Sequence, residues 1–444
     1  MSEGATEAGR IERLVRVGGH VRGAVIVGWV VILVLILRNT IFLSLDTVSN
    51  YAHVWWVGDN LRAGNGIPFH MPVIGHGQAL AFPYGFVPWL TAGLLWPVLG
   101  DWVVTLWIAL GSVLMVVAMF WALPEIRRGW WAAAALLNPM LVLAPISGQL
   151  PFLWAMAFLF AAIGCWRRER PWWAAVLCGL AQATHPAVVA PLVLLLVPSW
   201  WRWEPHRRRL LRTYAASLAI AAPAAWITVV SPVFADTPVA TTVLTFLATL
   251  IERAPVLFVP IALAAVRRNG LGWLRLPRLH SEIVAATAVF IAVILNVAFL
   301  RPLGTKDAWA ALNRRPDQNL SELIRSPQFV PGATYRILRH GDEKLGMYQL
   351  LRAGAHLDSE LFPESFGRRS FPSLERYTEF LARRKVDVVI AFDSYDRKWK
   401  TNEHRLLEEL TGVGCNGVRV NVVKIHASAH VDVYRMTPCR TPPA

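Results

Sequence analysis

GAVIVGWVVILVLIL, residues 23–37, decides the class of fold. The run carries no charge and resumes past Arg38 through Ile41–Leu45. With that extension it reaches the roughly 20 mostly apolar residues that a helix needs to cross a bilayer. Arg10, Arg13, Arg16 and Arg22 precede it, so the positive-inside rule puts the amino terminus in the cytoplasm. The run is too long for a cleavable signal peptide, and no small-residue cleavage site follows it.

Outward from this helix, further apolar runs cover about 84–99, 102–123, 129–147, 150–166, 172–198, 213–234, 241–266 and 281–300. Of the 444 residues, 55% are hydrophobic and 16% charged, against about 25% charged in an ordinary soluble domain. The mean hydropathy is +0.42. The net charge of +15 is unevenly placed: no lysine occurs before Lys306, and more than half of the charged residues follow residue 300. A soluble enzyme, a nucleic-acid binder and a disordered chain are excluded as readings of the whole protein. The composition predicts a mainly α, polytopic membrane protein of about nine to eleven helices with a carboxy-terminal extracytoplasmic α/β domain. Residues 1–22 form a cytoplasmic tail. Residues 23–304 form the transmembrane domain with a first outer loop at 45–83, and residues 305–444 the outer domain.

The arginine-rich connectors at 167–170, 202–212 and 267–278 are expected in the cytoplasm, which places the carboxy-terminal domain outside the plasma membrane. If Arg127–Arg128 and the 167–170 cluster are also inside, 172–198 is a short hairpin broken near His185–Pro186, because the residue before a proline disfavours helix. One segment in 84–123 then fails to cross.

The longest polar stretch of the membrane part begins Asp46-Thr-Val-Ser-Asn-Tyr51-Ala-His53 and runs on through Trp55, Trp56, Asp59, Arg62 and Pro68. Apolar residues at helical spacing (Val48, Tyr51, Val54, Trp55, Leu61) predict an amphipathic helix over 47–63 lying in the interface. Among the few carboxylates before residue 300, Asp46 and Asp59 alone lie in a large outer loop just after a helix, a position suited to a general base. Capping of the following helix is the bland alternative. Glu252-Arg253 sits mid-run in 241–266, where ionisable groups are costly and functional by default; otherwise the run is two pieces broken near Pro255. His53, His70 and His76 with Asp59 offer ligand atoms, but the spacing matches no metal signature, and neither metal nor cofactor is expected.

Asp46 after the first helix, Tyr51 behind it, Gly66 and Pro68 closing the segment, Phe82-Pro83-Tyr84 entering the next helix, Asn138-Pro139 followed by Gly148-Gln149, and Gly179-Leu180-Ala181 before His185-Pro186 together resemble the GT-C-type glycosyltransferases. Most similar are the actinobacterial mannosyltransferases that use a polyprenyl-phosphate-linked sugar. That group has Tyr-Pro-Pro-Leu where Tyr84-Gly85-Phe86-Val87 stands here, and more often Lys near His185. The resemblance implies inverting transfer from a polyprenyl-phosphate carrier to a glycan or glycolipid acceptor of the cell envelope. Asp46 would be the base and Asp59 its reserve. Tyr51, His53, Arg62, Tyr84, Gln149, His185, Glu252 and Arg253 would be the binding residues. A lipid or polymer-precursor transporter using Glu252 and Arg253, and a non-catalytic envelope-assembly protein, are the competing readings. Internal repeats expected of the former are absent from the sequence.

In the carboxy-terminal part, Tyr335–Leu338, Val386–Phe392, Val418–Ile425 and His430–Tyr434 read as strands, and 343–353, 374–384 and 402–410 as helices. Cys415 and Cys439 flank the predicted hairpin and are placed to pair in an oxidising compartment. Asp387, Asp393 and Asp396 around a strand end are more simply solvated charges than a site.

Overall fold

A computed structural model describes residues 2–38, 47–68, 71–74, 86–201, 205–229, 239–269, 278–300, 318–338, 344–358, 370–393, 395–427 and 430–439. Asp46, His70, His76 and Tyr84 lie outside them, as do the side chains of Glu252 and Glu204.

The amino-terminal part comprises twelve α-helices among the described residues: α1 (Ser2–Leu37), α2 (Thr47–Arg62), α3 (Phe86–Leu99), α4 (Trp102–Ala122), α5 (Gly129–Leu136), α6 (Pro139–Ile146), α7 (Leu150–Trp166), α8 (Pro171–Thr184), α9 (Pro186–Trp201), α10 (Arg207–Val229), α11 (Val239–Asn269) and α12 (Arg278–Leu300). By length and apolarity, α1, α4 and α12 suffice to cross a membrane, and α5 with α6, bent by 49° at Asn138, make a fourth candidate. Their outer faces leave Val27, Val117, Phe290 and Val297 exposed. Apolar surface on this scale is at home against lipid rather than water. The opposite face of α4 (Val104, Ile108, Met115, Met119) is buried against α7.

The basic connectors gather at one end of the helical bundle. The Arg22 guanidinium donates to the Arg127 carbonyl (3.4 Å) and the Trp130 indole to the Leu14 carbonyl (2.9 Å). Arg167 pairs with Glu125, Arg168 donates to the Trp121 carbonyl (2.9 Å), Arg209 to the Glu169 carbonyl (2.7 Å) and Arg267 to the Arg128 carbonyl (3.5 Å). At the other end the Trp102 indole reaches the Leu37 carbonyl (3.2 Å). The 21 residues of α4 separate the two ends by about 30 Å at 1.5 Å per residue, matching a hydrocarbon core. The break expected at His185–Pro186 is present: His185 closes α8 with non-helical backbone (φ −145°, ψ 69°) and Pro186 opens α9. The 241–266 run is not two pieces. α11 continues as one helix through Pro255 and Pro260, so Arg253 belongs to an unbroken element.

The expected interfacial helix at 47–63 forms as α2, but not as an amphipathic ribbon on the surface. Thr47 through Trp55 are all buried, because α3 covers one side and a helix of the carboxy-terminal part another. Its polar residues are therefore inside, where they need partners.

The carboxy-terminal part is a five-stranded sheet in the order β2-β1-β3-β5-β4. Its strands are β1 (Thr334–Leu338), β2 (His356–Leu357), β3 (Val388–Phe392), β4 (Val420–Ala427) and β5 (Val431–Pro438). β1 pairs in parallel with β2 and β3, and the β4–β5 hairpin closes on β3 antiparallel. The helices are α13 (Gln318–Arg325), α14 (Lys344–Arg352), α15 (Leu374–Arg383), α16 (Tyr395–Trp399) and α17 (Glu403–Leu410). Buried Arg336 in β1 bonds Glu403 (2.9 and 2.8 Å) and Asp358 (2.8 Å), and Asp358 also accepts from Arg384 (2.7 Å). Burial opposes the charge on Arg336, and the two carboxylates more than offset it. Cys415 and Cys439 form a disulfide, with Cα atoms 5.6 Å apart, that ties the loop before β4 to the end of β5. Asp387 accepts from the Thr334 amide (2.8 Å), and Asp396 caps α17 by accepting from the His404 and Arg405 amides. These two carboxylates are structural.

Candidate functional site

Three stretches far apart in sequence meet at the amino end of α2. Asn138 caps α6 by accepting from the Met140 amide (3.1 Å), and its Nδ2 donates to the Pro255 carbonyl of α11 (2.7 Å). α6 ends in a turn at Gly148, whose φ of +68° suits a residue without a Cβ. The Gly148 carbonyl accepts from Asn50 Nδ2 (2.7 Å). A Cβ at Gly148 would lie 1.9 Å from Thr47 Cγ2, so only glycine lets the turn approach α2 this closely. Asn50 Oδ1 in turn accepts from the Trp89 indole (2.9 Å), and Trp89 stacks on His53 with ring centroids 3.9 Å apart. His53 Nδ1 donates to the Ser49 carbonyl (2.7 Å). Asp46, outside the described residues, is the residue bonded to Thr47.

Gln149 caps the start of α7 and is buried. One turn on, Phe152 meets His185 edge-on (centroids 6.2 Å), and the Arg253 guanidinium lies 5.3 Å above its ring. Arg253 Nη1 is 3.3 Å from His185 Nε2. Among the described residues Arg253 has no carboxylate partner, and its buried Nε makes no hydrogen bond. Arg253 is half-buried, and a charge held partly out of water favours a counter-ion. The unbonded Nε leaves Arg253 a donor for an anion.

The other sequence candidates lie elsewhere. Fifteen steps of α2 put exposed Arg62 about 22 Å along the axis from Thr47. Half-buried Asp59 shares that far end with Arg352, whose charge it favours. Tyr51 is buried against Tyr348 of α14, ring centroids 5.8 Å apart. Tyr348 donates its hydroxyl to Asp101 in the turn between α3 and α4, and Arg352 pairs with the same carboxylate (3.2 Å). Burial, then the neighbouring Asp101 charge, pushes the Tyr348 hydroxyl well above its ordinary pKa, so it stays a donor. The Leu357 amide adds a hydrogen bond to the Val73 carbonyl (2.7 Å). This latch of Asp101, Tyr348 and Arg352 was not visible in the sequence. Nor were Asn50, Trp89 and Phe152, whose residue types look like ordinary core filling; Asn50 alone had a signal, lying inside the quoted loop motif.

One group has the composition of a metal site: His404, Glu408 and Asp432 hold their ligand atoms within 4.8 Å of one another. The Lys424 ammonium already sits on it, 2.9 Å from Glu408 and 3.1 Å from Asp432. Its burial is outweighed by those two carboxylates, which raise its pKa. The cation of this cluster is a lysine. Glu408 is held below the usual carboxylate range, first by the Tyr434 hydroxyl and then by Lys424.

No protein-family model matches the chain, and no curated protein matches it. Two solved structures are similar to it. One is the archaeal oligosaccharyltransferase AglB from Archaeoglobus fulgidus in complex with an inhibitory peptide and a dolichol-phosphate, with a TM-score of 0.46 and 13% identity over 88% of this chain and 72% of that one. The other is an Archaeoglobus fulgidus oligosaccharyltransferase in complex with Zn and sulfate, with a TM-score of 0.45 and 13% identity over 92% and 73%. At such identity and TM-scores this is a weak likeness of overall shape.

Proposed function

We propose that the protein is a membrane glycosyltransferase of GT-C type. It moves a sugar from a polyprenyl-phosphate carrier to a glycan or glycolipid acceptor of the cell envelope, on the outer face of the plasma membrane. The observation that carries this reading is Arg253, a half-buried cation without a carboxylate partner among the described residues and with its Nε buried and unbonded, beside His185 and braced through Asn138 and Pro255 to the turn that touches α2. A lipid phosphate supplies the missing anion. Arg253 stands fourteen residues from Arg267 at the basic end, about 21 Å along the helix. With the basic end in the cytoplasm, that depth lies in the outer half of the bilayer core.

In the reaction, Asp46 takes the proton of the acceptor hydroxyl, whose oxygen attacks the anomeric carbon from the face opposite the carrier. The bond from that carbon to the phosphate oxygen breaks and its electron pair leaves with the phosphate, so the configuration inverts. Arg253 and His185 stabilise the charge that develops on the departing phosphate, and Gln149 lines the approach. The test uses purified protein in vesicles with a radiolabelled polyprenyl-phosphate sugar and an envelope-lipid extract as acceptor. Asp46→Asn reduces transfer about 100- to 10,000-fold, the range of a general base, with an unchanged elution profile. Transfer at the parent rate in Asp46→Asn removes Asp46 from the base role.

A further inference from the structure

At the basic end, α7, α8, α9 and α10 line an open apolar groove, with Ile163, Cys178, Leu196 and Tyr214 on its walls. A second, open groove lies between the starts of α8 and α10 and is lined by Trp172, His206, Arg207, Arg208, Arg209 and Arg212. Thr213 borders both, so the apolar groove adjoins a cluster of guanidinium groups.

The other arginines of this end already have work within the protein. Arg167 is paired with Glu125, Arg168 donates to the carbonyls of Gly164 and Trp121, and Arg267 reaches Arg128 with Glu282 in its field. Arg209 donates to the Glu169 carbonyl, and among the described residues Arg207, Arg208 and Arg212 form no ion pair with a carboxylate. Arg207 lies 5.5 Å over Trp201 and Arg209 5.6 Å over Trp166, which fixes two guanidinium planes and leaves N–H groups for an anion. Exposed Trp172 and Trp173 mark headgroup depth at the same place.

We infer that the two grooves together bind an anionic phospholipid, its phosphates on Arg207, Arg208 and Arg212 and an acyl chain in the apolar groove beside Cys178. Positive charge needed only to orient the chain would require no adjoining groove. A water-soluble polyanion would leave the apolar half unused.

The test takes the full chain in mixed micelles of phosphatidylcholine with cardiolipin, read by native mass spectrometry. Cardiolipin stays bound, and occupancy slows modification of Cys178 by an apolar maleimide. The triple variant Arg207→Ala, Arg208→Ala, Arg212→Ala weakens retention about 100-fold, from three arginines near an anionic headgroup. Thr213→Trp keeps every arginine, blocks the apolar groove and also releases the lipid. Equal retention of phosphatidylcholine, or retention unchanged in the triple variant, overturns the inference. So does a silent Thr213→Trp with competition by inorganic pyrophosphate, which would make the site one for a soluble polyanion.

Discussion

At the scale of single residues the site depends on a glycine and an arginine. Gly148 allows the turn after α6 to rest on α2, with a positive φ and no room for a Cβ against Thr47. Gly148→Ala combines a disfavoured backbone with that collision, a cost of about 1–3 kcal/mol. We expect a lower thermal midpoint and transfer reduced more than stability alone explains; an unchanged midpoint and rate would mean the turn has slack. Arg253→Gln should raise the KM for the lipid-linked donor and leave the acceptor KM near the parent value, because the guanidinium is assigned to the carrier phosphate. Gly148-Gln149 and His185 were legible as motifs. The contact of His185 with Arg253 was not, since 68 residues separate them and no local period records it. Phe152 and Trp89 were invisible for a different reason: an aromatic residue in an apolar run looks the same whether it fills a core or holds a cation.

At the scale of elements, the spacing of the apolar runs and the break before Pro186 could be read from the sequence, because both are local. Helix α2 was foreseen but its environment was not. An apolar stripe at Val48, Tyr51 and Val54 predicts one buried face, whereas α3 and α14 cover it on further sides, and Asn50 and His53 are internalised with their own partners. The α14–α2 contact turns on Tyr348 and Asp101. Tyr348→Phe together with Arg352→Ala removes every described side-chain donor from α14 to that carboxylate, and faster amide exchange in 344–352 is the expected result. Unaltered exchange would mean that apolar packing alone holds α14. Glu408 carries the pH dependence of the β4–β5 hairpin. Its pKa is lowered in the folded chain, so its contribution is present above the ordinary carboxylate value of 4.5 and is lost as pH falls through the lowered one. Thermal midpoints measured from pH 7 down to about 3 should fall in that window and fall less in Glu408→Gln.

For the whole molecule, charge placement was the most informative sequence signal. The arginine connectors do collect at one end of the bundle, about 30 Å from the end that meets the carboxy-terminal sheet. Hydropathy could not foresee how that sheet docks, because the docking joins long-range polar contacts to apolar packing of Tyr348 on Tyr51 and Trp55, none of which a local pattern records. The stretches around Gly148, His185 and Arg253 are proposed to form one site for a lipid phosphate. A photoreactive polyprenyl phosphate bound to the full chain in vesicles, followed by mass spectrometry of the adducts, tests it most directly. Cross-links are expected in the peptides containing Gln149–Phe152, His185 and Arg253, with labelling strongly reduced by Arg253→Gln. Cross-links confined to the outward faces of α1, α4 and α12, and indifferent to Arg253→Gln, would contradict it.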